Sequence, residues 1–162
     1  MGIGTPPVQE HDQRWMGEAL KLARQAFEAG EVPVGAIVID AAGDVLGQGW
    51  NQPLGSVDPT AHAEITALRA AAARRGNYRL TETTMYVTVE PCMMCAGALI
   101  HARVSRLVYG AVEPKAGAVH THNFMNAAWL NHRVDAVGGV LAAACGNLMS
   151  DFFAARRRES DG

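Results

Sequence analysis

Long apolar runs are missing from this 162-residue chain. No stretch approaches the ~18 uninterrupted apolar residues of a membrane span, so no membrane association is expected. The first ten residues hold Pro6 and Pro7 but neither a basic head nor an apolar core, so no secretory leader is expected either. Cysteine is scarce: Cys92, Cys95 and Cys145 make an odd count, which argues against a disulfide framework and for a reducing, cytoplasmic setting. Neither sign of charge dominates, since 14 basic and 16 acidic residues leave a formal charge of −2. That gives no diffuse positive field for nucleic acid or membranes, though a local patch stays open. Low complexity is also absent, because 49% hydrophobic and 19% charged residues are the proportions of a folded domain. With no repeat and no linker, one domain over residues 11–158 is expected, preceded by a flexible arm at 1–10.

The patterning that is present alternates helices and strands. Met16, Leu20, Ala23 and Phe27 recur at helical spacing from about residue 11, and Gly30 stops that helix. Val34 to Ile39 and Val45 to Trp50 predict a hairpin around Ala41-Ala42-Gly43, and Pro53, Gly55 and Pro59 mark a loop over 51–59. A second helix is predicted from Thr60, a usable N-cap, to Arg75, with Gly76 ending it. Thr84 to Val89 alternates as a strand, and Pro91 opens a third helix through His101. Val104 to Tyr109 reads as a strand, 111–131 as loop with a short helical piece, and Arg133 to Val137 as a short strand. The last helix is predicted over Val140 to Arg158, with Leu141, Cys145, Leu148 and Phe152 on one stripe. Such alternation argues for an α/β layered domain on an at least partly parallel sheet.

One constellation dominates. His62-Ala63-Glu64 falls at the mouth of the second helix, and Pro91-Cys92-Met93-Met94-Cys95 at the mouth of the third. Two thiolates three residues apart and one imidazole are the donor set of tetrahedral zinc. Three protein ligands leave one position open, which marks a catalytic site; a structural zinc would want a fourth ligand from His101, His120, His122 or His132. Zinc lowers the pKa of a bound water toward ~7, and Glu64 beside that water would carry its proton onward. Alone, Cys-x-x-Cys is compatible with a redox pair or packed cysteines, and His-x-Glu says little; together they predict a zinc site for hydrolytic attack on an electrophilic carbon. Two further features have a plain reading and a functional one. Asn51 is either a turn residue before Pro53 or a base-edge ligand with one donor and one acceptor group. Arg156, Arg157 and Arg158 are either cations complementing a helix C-terminus or a phosphate-binding patch. Arginine is common throughout the chain, 12 against 2 lysines, so charge alone does not decide.

The chain resembles the bacterial tRNA-specific adenosine deaminases, which belong to the zinc-dependent deaminases of nucleobases with the His-x-Glu…Pro-Cys-x-x-Cys signature. The matching stretches are Glu31-Val-Pro-Val-Gly-Ala36, Gly49-Trp-Asn51, Asp58-Pro-Thr-Ala-His-Ala-Glu64 and Asn77-Tyr-Arg-Leu80. They continue with Tyr86-Val-Thr-Val-Glu-Pro-Cys-Met-Met-Cys-Ala-Gly97, Asn131-His-Arg133 and Ser150-Asp-Phe-Phe153 followed by arginines. The resemblance runs from about residue 11 to 158. It implies a cytidine deaminase-like three-layer α/β/α sandwich around a five-stranded mixed sheet. It implies one Zn²⁺ per subunit on His62, Cys92 and Cys95, with Glu64 as proton shuttle and Asn51 on the target base. The implied substrate is the anticodon stem-loop of a tRNA, with adenosine converted to inosine at the wobble position by a homodimer. It also favours the phosphate reading of Arg156, Arg157 and Arg158. The chain departs from the family near Gly110-Ala-Val-Glu-Pro-Lys-Ala-Gly117, where Asp is frequent at the place of Glu113 and Pro114 adds stiffness, and residues 118–128 match poorly. Two rival readings keep the zinc: a deaminase of a free guanine- or cytosine-type base or nucleotide, and a non-catalytic zinc-stabilised RNA-binding module.

Overall fold

The computed structural model describes residues 8–161. Most of the expected arm at 1–10 therefore lies outside the described residues. Helix α1 covers Asp12–Glu28, and strands β1 (Gly35–Ile39) and β2 (Val45–Trp50) form the predicted hairpin. Then come the one-turn α2 (Pro53–Ser56), α3 (Ala63–Arg75), β3 (Thr84–Val89), α4 (Met93–His101) and β4 (Arg106–Ala111). A 3-10 turn at Phe124–Asn126 precedes β5 (Asp135–Val137) and α5 (Ala142–Asp161). The five strands form one sheet in the order β2-β1-β3-β4-β5. β1 runs antiparallel to both β2 and β3, while β3, β4 and β5 run parallel, so the sheet is mixed.

Both faces of the sheet are covered, which is why its central strands read as unbroken apolar runs. The period of two sorts their side chains between two cores. Ala36, Val38, Met85, Val87, Leu107 and Tyr109 join Ala63, Ala67, Leu99 and Ile100 beneath α3 and α4. Ile37, Ile39, Tyr86 and Val108 join Trp15, Met16, Ala19, Leu20 and Cys145 beneath α1 and α5. This is the three-layer α/β/α sandwich. α3 lies directly on β2, and the close approach requires glycine: a Cβ at Gly47 would strike Ala67 and Ala71, and one at Gly49 would strike Thr66 and Ala63.

A buried charge pair ties the other layer down. Arg106 on β4 donates to Asp12 Oδ1 at 2.8 Å and to Oδ2 at 2.7 Å, and the Tyr86 hydroxyl donates to Oδ1 at 2.7 Å. Asp12 is fully buried, so these bonds replace its hydration. They hold its carboxyl down at about 2, against the upward push of burial.

The structure corrects several expected boundaries. Thr60 is not the N-cap of α3. Its amide (2.9 Å) and hydroxyl (2.8 Å) both donate to Asp58 Oδ1 in a local turn, and His62 occupies the cap position. α4 likewise begins after Cys92, two residues beyond Pro91. β4 starts at Arg106 because buried Val104 belongs to the turn that leads into it. α5 starts at Ala142, after Leu141 in the left-handed region, and runs on to Asp161. Inside the expected loop 51–59, α2 exists because buried Glu31 accepts the Leu54 amide at 3.1 Å and the Gly55 amide at 2.8 Å.

Candidate metal centre and active site

His62 and Cys92 stand at the N-cap positions of α3 and α4, and Cys95 sits in the first turn of α4. The two helix mouths meet, so residues thirty apart in sequence converge. His62 Nδ1 lies 3.7 Å from Cys92 Sγ and 3.5 Å from Cys95 Sγ. All three donor atoms lie within 4.8 Å of one another. Tetrahedral bonds of ~2.3 Å to sulfur and ~2.0–2.1 Å to nitrogen would put such donors ~3.6 Å apart, so the group fits zinc in chemistry and spacing. It is the only such group among the described residues. Neither His122, whose Nε2 lies 2.6 Å from the Lys115 carbonyl, nor His132, 2.8 Å from the Val104 carbonyl, joins it.

The electrostatics suit thiolate ligands. Hydrogen bonds from Cys95 and His62 hold the Cys92 thiol down at about 4, against burial. The hydrogen bond to ionised Cys92, together with burial, pushes the Cys95 thiol up. The positive ends of α3 and α4 favour negative charge at the same point. Glu64, in the first turn of α3, is 4% exposed. Burial pushes its carboxyl up to about 7, against the pull of its own backbone amide and of His62. A carboxyl poised near neutrality both takes and returns a proton.

Asn51 joins this cluster through the backbone. Its side-chain Oδ1 accepts the Ala63 amide at 2.7 Å, satisfying one free N–H at the start of α3. The acceptor expected to read a base edge is thus engaged within the protein, which leaves the Nδ2 donors for a ligand. The arginines stand apart from one another in role. Arg156 donates to the Gly30 carbonyl at the end of α1 and lies 4.9 Å over the Phe152 ring. Arg157 lines a groove of about 700 Å³ with Lys115, Pro114, Met149 and Phe153, and Arg158 is exposed beyond it. A second cleft of about 490 Å³ contains Asn51, Arg156 and the same Phe153, so one exposed aromatic ring borders both.

Sequence reasoning missed the carboxylates that shape the surroundings. Glu31 and Glu90 are both buried, and each caps backbone amides far away in the chain. The available signal was an acidic residue set among strand-forming apolar residues immediately before Pro91-Cys92.

Comparison with known proteins places this arrangement. The sequence profile of the MafB19-like deaminases matches residues 10–157, which makes the chain a deaminase by class. It is 48% identical to the tRNA-specific adenosine deaminase of Haemophilus influenzae, over 93% of this chain and 87% of that protein. The chain belongs to the family of tRNA-specific adenosine deaminases. Among solved structures, one from a study of A-to-I editing by tRNA:A34 deaminases at the wobble position superimposes with a TM-score of 0.80. It is 39% identical and covers 83% of this chain and 98% of its own. A guanine deaminase from Nitrosomonas europaea shares the fold at a TM-score of 0.78 but only 26% identity, covering 95% of this chain and 96% of its own.

Proposed function

We propose that this chain deaminates adenosine to inosine at the wobble position of a tRNA anticodon. The observation that carries the reading is the convergence of His62, Cys92 and Cys95 beside buried Glu64, in a chain 48% identical to a tRNA-specific adenosine deaminase. The unit that does so is a single deaminase domain over residues 11–158, preceded by an arm at 1–10.

His62, Cys92 and Cys95, whose donor atoms converge, would hold one Zn²⁺ per subunit. Zinc bound there would act as a Lewis acid that makes water a nucleophile at neutral pH. Buried Glu64 takes one proton from the attacking water, places it on the adenine ring nitrogen next to C6, and then carries the second proton of that water to the departing amine. A C–O bond forms at C6, the C–N bond to the amine breaks, and ammonia leaves behind a carbonyl. Asn51, fixed by its bond to the Ala63 amide, donates from Nδ2 to the base and sets its orientation. Lys115, Arg157 and Arg158 meet backbone phosphates, with Phe153 between the two clefts as a stacking platform for a splayed-out base. Arg156 contributes mainly through α1, to which it is bonded. The chain works as a homodimer. The groove between α3 and α4, lined by Ile65, Leu68, Tyr78 and Ala98, offers an apolar face to a second copy. The setting is the cytoplasm, in keeping with three free thiols.

The deciding experiment incubates the purified protein with a transcribed tRNA carrying adenosine at the wobble position and, separately, with free adenosine, guanine and cytidine. Inosine, read as guanosine on sequencing, is expected at that one position, with no ammonia from the free compounds. Ammonia from guanine or a free nucleoside would replace this reading by a small-molecule deaminase. No ammonia from any substrate by zinc-loaded protein would leave only an RNA-binding module.

A further inference from the structure

We propose that Glu90 is a positioning residue that fastens the segment 112–121 against the metal-ligand segment and so builds one wall of the RNA groove. The proposal deepens the deaminase reading above and rests on it for its substrate. Glu90 is 3% exposed and lies between the end of β3 and Pro91-Cys92. Five donors converge on its carboxylate. Oε2 accepts three successive amides, from Val119 at 3.0 Å, His120 at 2.8 Å and Thr121 at 3.0 Å. Oε1 accepts the Glu113 amide at 3.0 Å and lies 3.1 Å from the Thr121 hydroxyl, which is shared with the Glu113 carbonyl at 2.7 Å. Consecutive backbone amides around one anion form a nest, and charge-assisted bonds of this kind are the strong ones.

The carboxylate therefore acts in place of secondary structure. Residues 112–121 contain no helix and no ladder of their own, and a segment with this many free amides would otherwise remain solvated. Two backbone contacts seat the same segment on the ligand side: the Ala118 amide donates to the Pro91 carbonyl at 2.8 Å, and Gly117 pairs with Cys92 as an isolated bridge. Gly117 lies so close over Glu90 that a Cβ there would collide with the carboxylate. On its outer side the segment presents Val112, Pro114 and Lys115 to the groove, facing Phe153 and Arg157 of α5. Both Glu90 oxygens must accept. A glutamine would point N–H groups at N–H groups, and either orientation of its amide leaves donors opposed.

The test compares wild type, Glu90→Gln and Gly117→Ala, which attacks the same contact from the opposite side. Three quantities are measured: zinc per chain, hydrogen exchange of the Val119–Thr121 amides, and KM and kcat on an anticodon stem-loop RNA. Zinc is expected to stay at one per chain in all three proteins. Amide exchange should speed up at least ~10-fold in both variants, the scale of one lost charge-assisted bond. KM for the RNA should rise by a similar ~10-fold while kcat stays within ~3-fold, the split of a lost binding wall and intact chemistry. Unchanged exchange together with unchanged KM in Glu90→Gln would overturn the proposal. So would zinc loss in parallel with lost activity, which would place the residue's role at Cys92. The exchange measurement needs no substrate: if wild type fails to deaminate RNA, the functional reading falls while the exchange result still judges Glu90. Should Glu90→Gln not fold, Gly117→Ala decides by the same criteria.

Discussion

The metal-ligand side of the proposed site and the groove wall at 112–121 are built on different principles. His62, Cys92 and Cys95 stand at the mouths of two regular helices, so each is placed by a helix start, and for the cysteines also by the end of β3 just before them. The wall at 112–121 has no regular element and takes its shape from Glu90, through amides up to 31 residues away. The first kind of placement survives changes elsewhere, because a helix mouth presents its residues in the same way wherever it occurs. The second kind depends chiefly on one buried carboxylate, with two backbone contacts to Pro91 and Cys92 beside it. Metal chemistry and substrate choice can therefore fail separately, and variants should divide along that line.

The largest effect is expected from breaking the ligand side itself. Cys92→Ala should lose zinc and all measurable deamination, and destabilise the fold, since metal binding free energy is folding free energy; elemental analysis and thermal melting check this. Glu64→Ala separates chemistry from metal. Zinc content and melting should stay near wild type while turnover falls ~10²–10⁴-fold, the usual contribution of a general acid–base group. Near-normal turnover would remove Glu64 from the mechanism.

A third variant leaves both regions in place and loosens what lies beneath them. Asp12→Asn removes the buried carboxylate that pairs with half-buried Arg106 and should destabilise by about 3 kcal/mol in denaturant unfolding, with zinc content unchanged. The same pair sets an acid limit. The Asp12 carboxyl is held at about 2, below its ordinary 3.8, so its stabilisation is present above pH 3.8 and is lost as pH falls toward 2. The variant should lack that portion of the acid transition. A stability curve of the same shape in both proteins over that range would count against the pair.

The smallest effects belong to the rim arginines. Arg157→Ala should weaken RNA binding and reduce the slope of log K against log salt by ~0.7, one phosphate contact on a single strand. Arg156→Ala should leave that slope unchanged and lower stability slightly, because its guanidinium is engaged with the Gly30 carbonyl and the Phe152 ring. Equal slope changes in the two variants would erase the distinction.

How much of this was legible follows the same division. The His62, Cys92 and Cys95 cluster and Glu64 could be read because their spacing is a local signature: Cys92 and Cys95 share a helix face, and both motifs open helices. Asn51 was legible as a candidate, but not that its Oδ1 serves the Ala63 amide, since that partner is set by where α3 comes to rest. The start of α3 was misplaced because Thr60 has the chemistry of a cap, and only the turn shows it already bonded to Asp58. The three arginines looked equivalent in sequence. α5 carries one of them back to the end of α1 and leaves the next beside Lys115.

Alternation of apolar runs, helix punctuation and two short motifs sufficed for the α/β class, the order of the five strands and long helices, and the residues that converge at the helix mouths. These are short-range properties: periodicity, caps and side-chain chemistry act within a turn or a strand. The functions of Asp12, Glu31 and Glu90 were decided only in three dimensions. Each is a carboxylate removed from water, tolerated because donors from distant parts of the chain surround it: Arg106 and Tyr86 for the first, α2 amides for the second, the 113–121 amides for the third. A buried charge is held by whatever the fold brings to it, and no local pattern in the sequence records which groups those will be.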